Sequence, residues 1–311
     1  MRNALVAACL TMSVVHATAA SELNEKVWNH GSADCSSNQD PAIEVFRFDA
    51  TTYILRQNKC LHFEAPFIYV LFGEQRVFVL DTGATADPEN FPLYEVIHGL
   101  IEQRGDSQSA KGLPLLVTHS HSHSDHTAAD AQFRGKPGVT LIEPDAESVR
   151  KYFGFSNWPE QATTIDLGAR SLVIIPVPGH QDESVAVYDA QTGWLLTGDT
   201  LYPGKLYVRD WQAYRASIHR LAEFSRTHQI SAVMGTHVEI SGKGELFAAG
   251  STFQPGEARL ALTVEDLLRL NEKLRQAGQQ PAVISMEKFI VTPISTFQRV
   301  ISNLARWLGI R

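Results

Sequence analysis

The stretch that decides the fold is Thr118-His119-Ser120-His121-Ser122-His123-Ser124-Asp125-His126, which contains the pattern His-x-His-x-Asp-His at positions 121, 123, 125 and 126. The serines between the histidines offer nothing apolar that would hold a buried loop, which disfavours a purely structural role. Imidazole and carboxylate together are the donors that zinc and related transition metals prefer. Alternating positions can direct two imidazoles to one metal, while the Asp-His pair serves a second. A solvated histidine-rich loop is the alternative.

Three further side chains that could bind a metal follow apolar, strand-like runs later in the chain. They are His180 in Pro178-Gly179-His180, Asp199 in Gly198-Asp199, and His237 in Gly235-Thr236-His237. A single His after a strand is usually an ordinary surface or core residue. Loops at the ends of strands in an α/β sheet, however, gather into one crevice. The three side chains are therefore expected to meet the histidine loop.

The ordered set of these motifs resembles a known family. Asp81-Thr82-Gly83, His121-x-His123-x-Asp125-His126, His180, Asp199 and His237 are similar to the five motifs of the metallo-β-lactamase superfamily of metallohydrolases. The resemblance runs from about Phe67 to Val238. It implies an α/β fold, a four-layer αββα sandwich of two mixed β-sheets flanked by helices, with the metals at the edge of the sheets. Alternating strand-like and helical segments agree with such layers.

The resemblance also implies a metal centre with two zinc ions per chain, for which iron or manganese could substitute. By motif, the ligands of the first metal are His121, His123 and His180. Those of the second metal are Asp125, His126 and His237, and Asp199 bridges both. A bridging Asp is typical of the glyoxalase II-like and lactonase-like branch of the family.

The chain departs from the family pattern by one additional His-Ser unit after Thr118. Because the Asp-His pair fixes the register, His119 is predicted to be an extra imidazole beside the ligands rather than one of them. A register in which the His-x-His pair begins at His119 is the alternative. Asp81 resembles the family's motif Asp, which supports the site, and an ordinary Asp-Thr-Gly turn is the other interpretation.

The predicted function is zinc-dependent hydrolysis of an ester, lactone or related acyl bond of a small molecule, with a metal-bridging hydroxide as the nucleophile. Asp125 is the predicted catalytic residue, which would bind the second metal, orient the hydroxide and carry a proton to the leaving group. Tyr202, three residues after Asp199, is predicted to donate a hydrogen bond to the substrate carbonyl. A Tyr that packs at the pocket rim is the alternative. The sequence contains no Gly-x-Ser-x-Gly motif of a serine hydrolase.

Other functions remain open at this point. Hydrolysis of β-lactam antibiotics is the first alternative, although many true metallo-β-lactamases carry Cys or Ser where Asp199 lies. An iron-dependent persulfide dioxygenase, which shares the fold and the histidine motif but uses a single iron, is the second. A zinc-binding protein without activity is disfavoured, because an open site is built to retain water. The candidates for aromatic pocket walls are Phe153, Phe155, Trp158, Tyr207 and Trp211.

The composition limits the partners. The chain has 311 residues with 27 basic and 34 acidic side chains, which gives a formal net charge of −7. An acidic chain without a cluster of Lys and Arg is not expected to bind nucleic acid. A hydrophobic content of 44% excludes a disordered or collagen-like chain. A small-molecule substrate is the expected partner.

Residues 1–20 are predicted to be a secretory signal peptide, because Arg2, an apolar stretch and then small residues follow in that order. The mature protein would then be periplasmic or secreted, with no stable membrane insertion after cleavage. Export agrees with Cys35 and Cys60, the only cysteines outside the leader, which predict one disulfide. Two free thiols are the alternative.

Residues 21–41 are predicted to be a polar lead-in, and residues 42–311 a single domain that includes a helical C-terminal segment. In that segment, leucines recur at the spacing of one face of an α-helix, which predicts a helix over Glu257–Gln276. Ala282–Val291 predicts a late strand, and an apolar stripe from Phe297 to Leu308 predicts a closing helix.

Overall fold

Six strands form the first β-sheet of the computed structural model, which describes residues 22–104 and 112–295. In spatial order they are Ile43–Arg47 (β1), Thr52–Gln57 (β2), Phe67–Phe72 (β3), Val77–Leu80 (β4), Leu115–Thr118 (β5) and Val139–Leu141 (β6). β1 to β4 are antiparallel neighbours, whereas β5 and β6 continue the sheet in parallel with β4. The histidine loop therefore begins where β5 ends, beside the end of β4.

Five strands form the second sheet. Along the chain they are Thr163–Asp166 (β7), Ser171–Pro176 (β8), Val185–Asp189 (β9), Trp194–Gly198 (β10) and, after one strand of another sheet, Ala232–Gly235 (β12). The spatial order is β12-β10-β9-β8-β7, and only β10 and β12 are parallel neighbours. The intervening strand Lys205–Val208 (β11) forms a small third sheet with Ile284–Ser285 (β13) and Ile290–Pro293 (β14).

Helices cover the outer faces of the two large sheets. The α-helices are Leu93–Gln103 (α1), Ser124–Thr127 (α2), Asp130–Phe133 (α3), Ala146–Phe153 (α4), Trp211–Ser225 (α5) and Val264–Ala277 (α6), and Cys35–Ser37 forms a 3-10 turn. Apolar side chains of α1 pack on the first sheet, and those of α5 and α6 pack on the second. Within the described ranges, no helix has both the length and the apolar character needed to cross a bilayer.

Alternating side chains give each sheet an inner and an outer face. In β3, Tyr69 belongs to the core between the two sheets, whereas Val70 packs on the side of α1. In β10, Leu196 belongs to the core between the sheets, whereas Leu195 packs on the side of α5 and α6. The order helix, sheet, sheet, helix confirms the predicted αββα sandwich.

The C-terminal elements differ from the sequence prediction. α6 begins at Val264 rather than near Glu257, because Thr263 caps the helix in a capping box with Asp266. The predicted strand over Ala282–Val291 is instead two strands, since β13 pairs with β14 in antiparallel fashion. The predicted signal peptide and the predicted closing helix near the C-terminus lie outside the described residues.

The lead-in is fastened to the first sheet. Trp28 packs edge-on against Phe67 with ring centroids 4.9 Å apart. Cys35 is bonded to Cys60, which confirms the predicted disulfide. Asn58, at the start of the loop between β2 and β3, donates hydrogen bonds to backbone carbonyls of the lead-in. Residues 58–66, which include Cys60, are called the β2–β3 loop below.

We expect removal of the disulfide to lower the free energy of unfolding by about 2 to 5 kcal/mol, because the bridge restricts the unfolded chain. The double variant Cys35→Ser/Cys60→Ser should show this loss in urea unfolding followed by circular dichroism. Reductant should destabilise the wild type to a similar extent and leave the double variant unchanged. Equal unfolding midpoints for the wild type and the variant would contradict the expectation.

Candidate metal centre

The histidine loop is anchored by the strand beside it. Asp81 directly follows β4, and its carboxylate accepts hydrogen bonds from the backbone N–H of Ser120 at 2.7 Å and from the Ser120 hydroxyl at 3.0 Å. Asp81 has a φ of 71°, a left-handed conformation that few residues other than Gly adopt and that Asp tolerates. The carboxylate therefore supports the loop, which is the role that the sequence resemblance implied.

A first group of metal-binding donors lies at the end of β5. Its members are His121, His123, His180 and Asp199, whose donor atoms lie within 4.8 Å of one another. Nδ1 of His123 is 3.0 Å from Nε2 of His121 and 3.1 Å from Nε2 of His180. Oδ2 of Asp199 completes the group, 3.8 Å from Nε2 of His121 and 3.6 Å from Nε2 of His180.

A second group adjoins the first and shares one residue with it. Its members are Asp125, His126, Asp199 and His237. Oδ2 of Asp125 is 3.1 Å from Nε2 of both His126 and His237. Oδ1 of Asp199 lies 3.5 and 3.4 Å from the same two nitrogens. Asp199 thus turns one carboxylate oxygen towards each group.

The position of Asp199 depends on a close approach between the two sheets. Gly198 precedes it at the end of β10, where a Cβ atom would lie only 2.5 Å from Cβ of Ser120. A residue with a side chain would push β10 away from the histidine loop. Thr236 donates a hydrogen bond of 2.8 Å to Oδ1 of Asp199. The carboxylate is therefore fixed before any ligand binds.

The spacing of the donors fits zinc. A tetrahedral ion with bonds of roughly 2.0 to 2.1 Å to nitrogen and oxygen needs ligand atoms about 3.3 Å apart, and the distances in both groups scatter around that value. Nε2 of His126 is buried and makes no hydrogen bond with any described residue, as expected of a nitrogen kept for a metal. The two groups would hold one ion each.

The ring nitrogens that face away from the two groups have partners of their own. Nδ1 of His126 is 3.1 Å from Oδ2 of Asp81, and Nδ1 of His180 is 2.8 Å from the carbonyl oxygen of Tyr207. Nδ1 of His237 is 3.2 Å from the carbonyl oxygen of Glu64. Such outer partners fix the ring orientation and the tautomer of a metal-binding His.

Burial and neighbouring charge divide the imidazoles into two kinds. Burial, reinforced by the His180 ring, lowers the pKa of His123 to about 3. Burial also disfavours a charged His237, but the carboxylates of Asp199 and Asp125 outweigh it and raise the pKa of His237 to about 9. Burial likewise opposes a charge on His126, and Asp125 outweighs it, so the pKa of His126 is well above its usual value. Metal binding to the second group would displace these protons.

His119 lies outside both donor groups. Its Nε2 is 2.8 Å from Oδ1 of Asp130, which also accepts a hydrogen bond from the Thr82 hydroxyl. The structure therefore brings together His121 and the later members of the motif and leaves His119 beside them. Asp130, the first residue of α3, was not predicted from the sequence, because the motif ends at His126.

The hydroxyl of Tyr202 is occupied within the protein. It lies 2.8 Å from the carbonyl oxygen of Lys205 and 3.1 Å from Oε2 of Glu239. Its ring packs against the His237 ring with centroids 5.4 Å apart. Because a phenol has a single hydrogen to donate, this arrangement favours the packing role, and a contact with substrate stays a prediction.

The predicted aromatic wall residues divide between a cavity beside the donor groups and the hydrophobic cores. Tyr207 lines the cavity, whereas Phe153 and Trp211 are buried in the hydrophobic cores. Phe155 and Trp158 pack against the core between the sheets. These four aromatic residues therefore pack in or against the hydrophobic cores. Their sequence pattern does not distinguish a packing role from a role in a pocket wall.

The cavity itself has a volume of about 260 Å³. It is lined by the β2–β3 loop, by β11 and by residues 246–254. Glu64 and Tyr207, whose carbonyl oxygens contact His237 and His180 respectively, both line it. The cavity therefore adjoins both donor groups. The β2–β3 loop and residues 246–254 carry no motif, so their place in the cavity lining could not be predicted from the sequence.

A family model described as the metallo-beta-lactamase superfamily matches residues 63–233, which is more than half of the chain. The chain belongs to this superfamily. The match confirms the family that the motifs predicted and agrees with the sandwich described above.

Relatives of this superfamily member include two named hydrolases. The human protein named acyl-coenzyme A thioesterase MBLAC2 is 24% identical over 223 residues, which are 60% of this chain and 77% of that protein. The hydroxyacylglutathione hydrolase of Brucella ovis is 23% identical over 215 residues, 68% of this chain and 73% of that protein. A metallo-beta-lactamase from Pontibacter korlensis aligns with a TM-score of 0.48 and 19% identity over 75% of this chain and 99% of that chain. Similarity to a hydroxyacylglutathione hydrolase agrees with the predicted glyoxalase II-like branch.

Proposed function

We propose that this superfamily member is a dinuclear zinc-dependent hydrolase that cleaves an ester, lactone or related acyl bond of a small molecule. The observation that carries the proposal is the pair of donor groups that share Asp199, with one carboxylate oxygen turned towards each. Two zinc ions bound there would lower the pKa of a water molecule and polarise the substrate carbonyl.

The residues of the chain supply the remaining chemistry. Asp125 is buried, and although burial opposes its charge, His126 and His237 hold the pKa of its carboxyl well below the usual value. It is therefore ionised, as a metal-binding carboxylate must be. Because a carboxylate has two oxygens, Asp125 can contribute one to the second donor group and hold a proton on the other. That proton could then pass to the leaving group.

The names of the relatives support acyl hydrolysis over other chemistry. One is a thioesterase and the other a hydroxyacylglutathione hydrolase. Neither name identifies the substrate of this chain, because the identities are below 25%. An acyl bond is the common element that we carry over.

We also propose that the protein works in an oxidising compartment, the periplasm or the exterior of the cell. The Cys35–Cys60 disulfide supports this location, because such bonds persist where thiols are not kept reduced. Fractionation of the source cells, with the thiol state trapped by an alkylating reagent, would test it. Recovery from the cytosol with both thiols free would contradict it.

A substrate panel tests the proposed function. Zinc-loaded protein should hydrolyse at least one of the aryl esters, lactones or thioesters offered, lose that activity with a chelator and regain it with zinc. Metal analysis should give about two zinc ions per chain, as two donor groups require. Turnover of β-lactams alone would contradict the proposed substrate class. One iron per chain with persulfide oxidation would contradict hydrolysis itself.

A further inference from the structure

The outer ring nitrogens of four imidazoles in the donor groups face oxygen atoms. These imidazoles are His121, His126, His180 and His237. His123 differs, because its Nε2 atom contacts the side-chain nitrogen of Gln181. Nδ1 of His123 faces the first donor group, so Nε2 is the nitrogen on the outer side of this ring. Gln181 is therefore the outer partner of His123.

Gln181 is fixed beside this ring by further hydrogen bonds. It is only 4% exposed, and its backbone N–H donates a hydrogen bond of 3.2 Å to the Ser184 hydroxyl. Its side-chain oxygen Oε1 accepts a hydrogen bond of 3.1 Å from Nη1 of Arg209. Arg209 is itself held by its backbone N–H, which donates to the carbonyl oxygen of Gly179 at 2.9 Å. The amide thus lies between the Arg209 guanidinium and the His123 ring.

Metal binding would place a hydrogen-bond donor on each side of this amide. An imidazole that binds a metal through Nδ1 keeps its hydrogen on Nε2, so zinc in the first group would make Nε2 of His123 a donor. The guanidinium of Arg209 also donates, since it has no acceptor atom. The two neighbours contact different atoms of the Gln181 amide, which has one oxygen. In either orientation, the NH2 group of the amide therefore faces one of the two donors.

Two donors that face each other inside the protein are unfavourable, because a buried polar group without a partner costs free energy. The amide orientation in the structure suits a His123 ring whose Nε2 accepts a hydrogen bond. Zinc at Nδ1 would require the amide to turn its oxygen from Arg209 to His123. Oδ2 of Asp182, 3.8 Å from Nη1 of Arg209, is an acceptor that Arg209 could then approach. This exchange costs free energy that zinc binding has to supply.

We propose that Gln181 is a positioning residue of the metal centre that acts through His123, and that Arg209 competes with His123 for its side-chain oxygen. The first donor group therefore binds zinc more weakly than its four donors would allow. A carboxylate at position 181 would remove the competition, because it could accept a hydrogen bond from both neighbours at once. This inference rests on the proposed function, since it requires a zinc ion in the first group.

The variants Gln181→Glu and Gln181→Leu test the inference in opposite directions. Glu has nearly the same shape and two acceptor oxygens, so this variant should bind one zinc ion roughly 10-fold or more tightly than the wild type. Leu offers no acceptor and should weaken binding of the same ion by roughly 10- to 100-fold. Competition with a chelator would give a dissociation constant for each of the two ions, and only one constant should change. Gln279→Glu, at an exposed position, is the control for an added negative charge and should change neither.

A purely structural role of Gln181 would weaken zinc binding in both variants. That result, or unchanged zinc affinity in Gln181→Glu, would overturn the inference and leave the proposed function standing. If Gln181→Glu does not fold, Arg209→Met decides, because it removes the competing donor and leaves Gln181 in place. It should tighten binding of the same ion several-fold relative to Arg226→Met, which removes an exposed guanidinium, and no gain would overturn the inference. Wild-type protein that binds no zinc would overturn the proposed function as well.

Discussion

Replacing Asp125 with Asn is expected to lower kcat/KM by roughly 100- to 10,000-fold, the usual loss when a general acid–base group is removed. Asn keeps the shape of the side chain and one oxygen that could face His126 and His237. It lacks the negative charge that holds the protons of those imidazoles, and it cannot accept a proton. The variant should be assayed at saturating zinc with its metal content measured, which separates a chemical loss from a loss of metal.

His119→Ala is the matched comparison for this variant, because His119 lies next to the donor groups but contacts Asp130 instead. Removal of an outer partner typically costs about 10- to 100-fold in metal affinity or activity. We therefore expect a smaller effect than that of Asp125→Asn. Near-normal turnover of Asp125→Asn, together with loss of metal and activity in His119→Ala, would mean that the His-x-His pair begins at His119.

The second large effect is expected at Asp199, because one carboxylate serves both donor groups. Asp199→Ala should weaken zinc binding at both groups at once, by more than the roughly 10- to 100-fold typical of an outer partner. Zinc titration in the presence of a competing chelator would measure this loss. Asp87→Ala, at an exposed position, is the control for loss of an acidic residue. Retention of about two tightly bound zinc ions in Asp199→Ala would contradict the bridging role.

Residues that contact the donor groups without belonging to them should influence metal binding and substrate binding indirectly. Asp81 contacts both Ser120 and His126, so it links the position of the loop to the orientation of one imidazole. Glu64 and Tyr207 contact the donor histidines through backbone carbonyls, and both residues line the cavity. Changes to these two side chains are therefore expected to affect KM more than metal content. The N-terminal lead-in reaches the same cavity through the Cys35–Cys60 bond and the β2–β3 loop.

The sequence by itself predicted the family, the sandwich and the residues that the structure gathers into two donor groups. This was possible because metal chemistry restricts the ligands to a few residue types, and because strand ends in an α/β fold converge. The disulfide could be predicted as well, since Cys35 and Cys60 are the only pair outside the leader. These features are either local in the chain or follow from general rules of the fold.

Only the tertiary structure decided what surrounds the donor groups. Trp211 and Tyr207 are both aromatic residues near the site in sequence, yet one is 5% exposed and the other 42%. Gln254 and Phe63 carry no motif and are separated by most of the chain, yet they line the same cavity. Whether a side chain packs in the core or faces a ligand depends on which distant segments cover it. A pattern of neighbouring residues does not contain that information, because the covering residues come from elsewhere in the sequence.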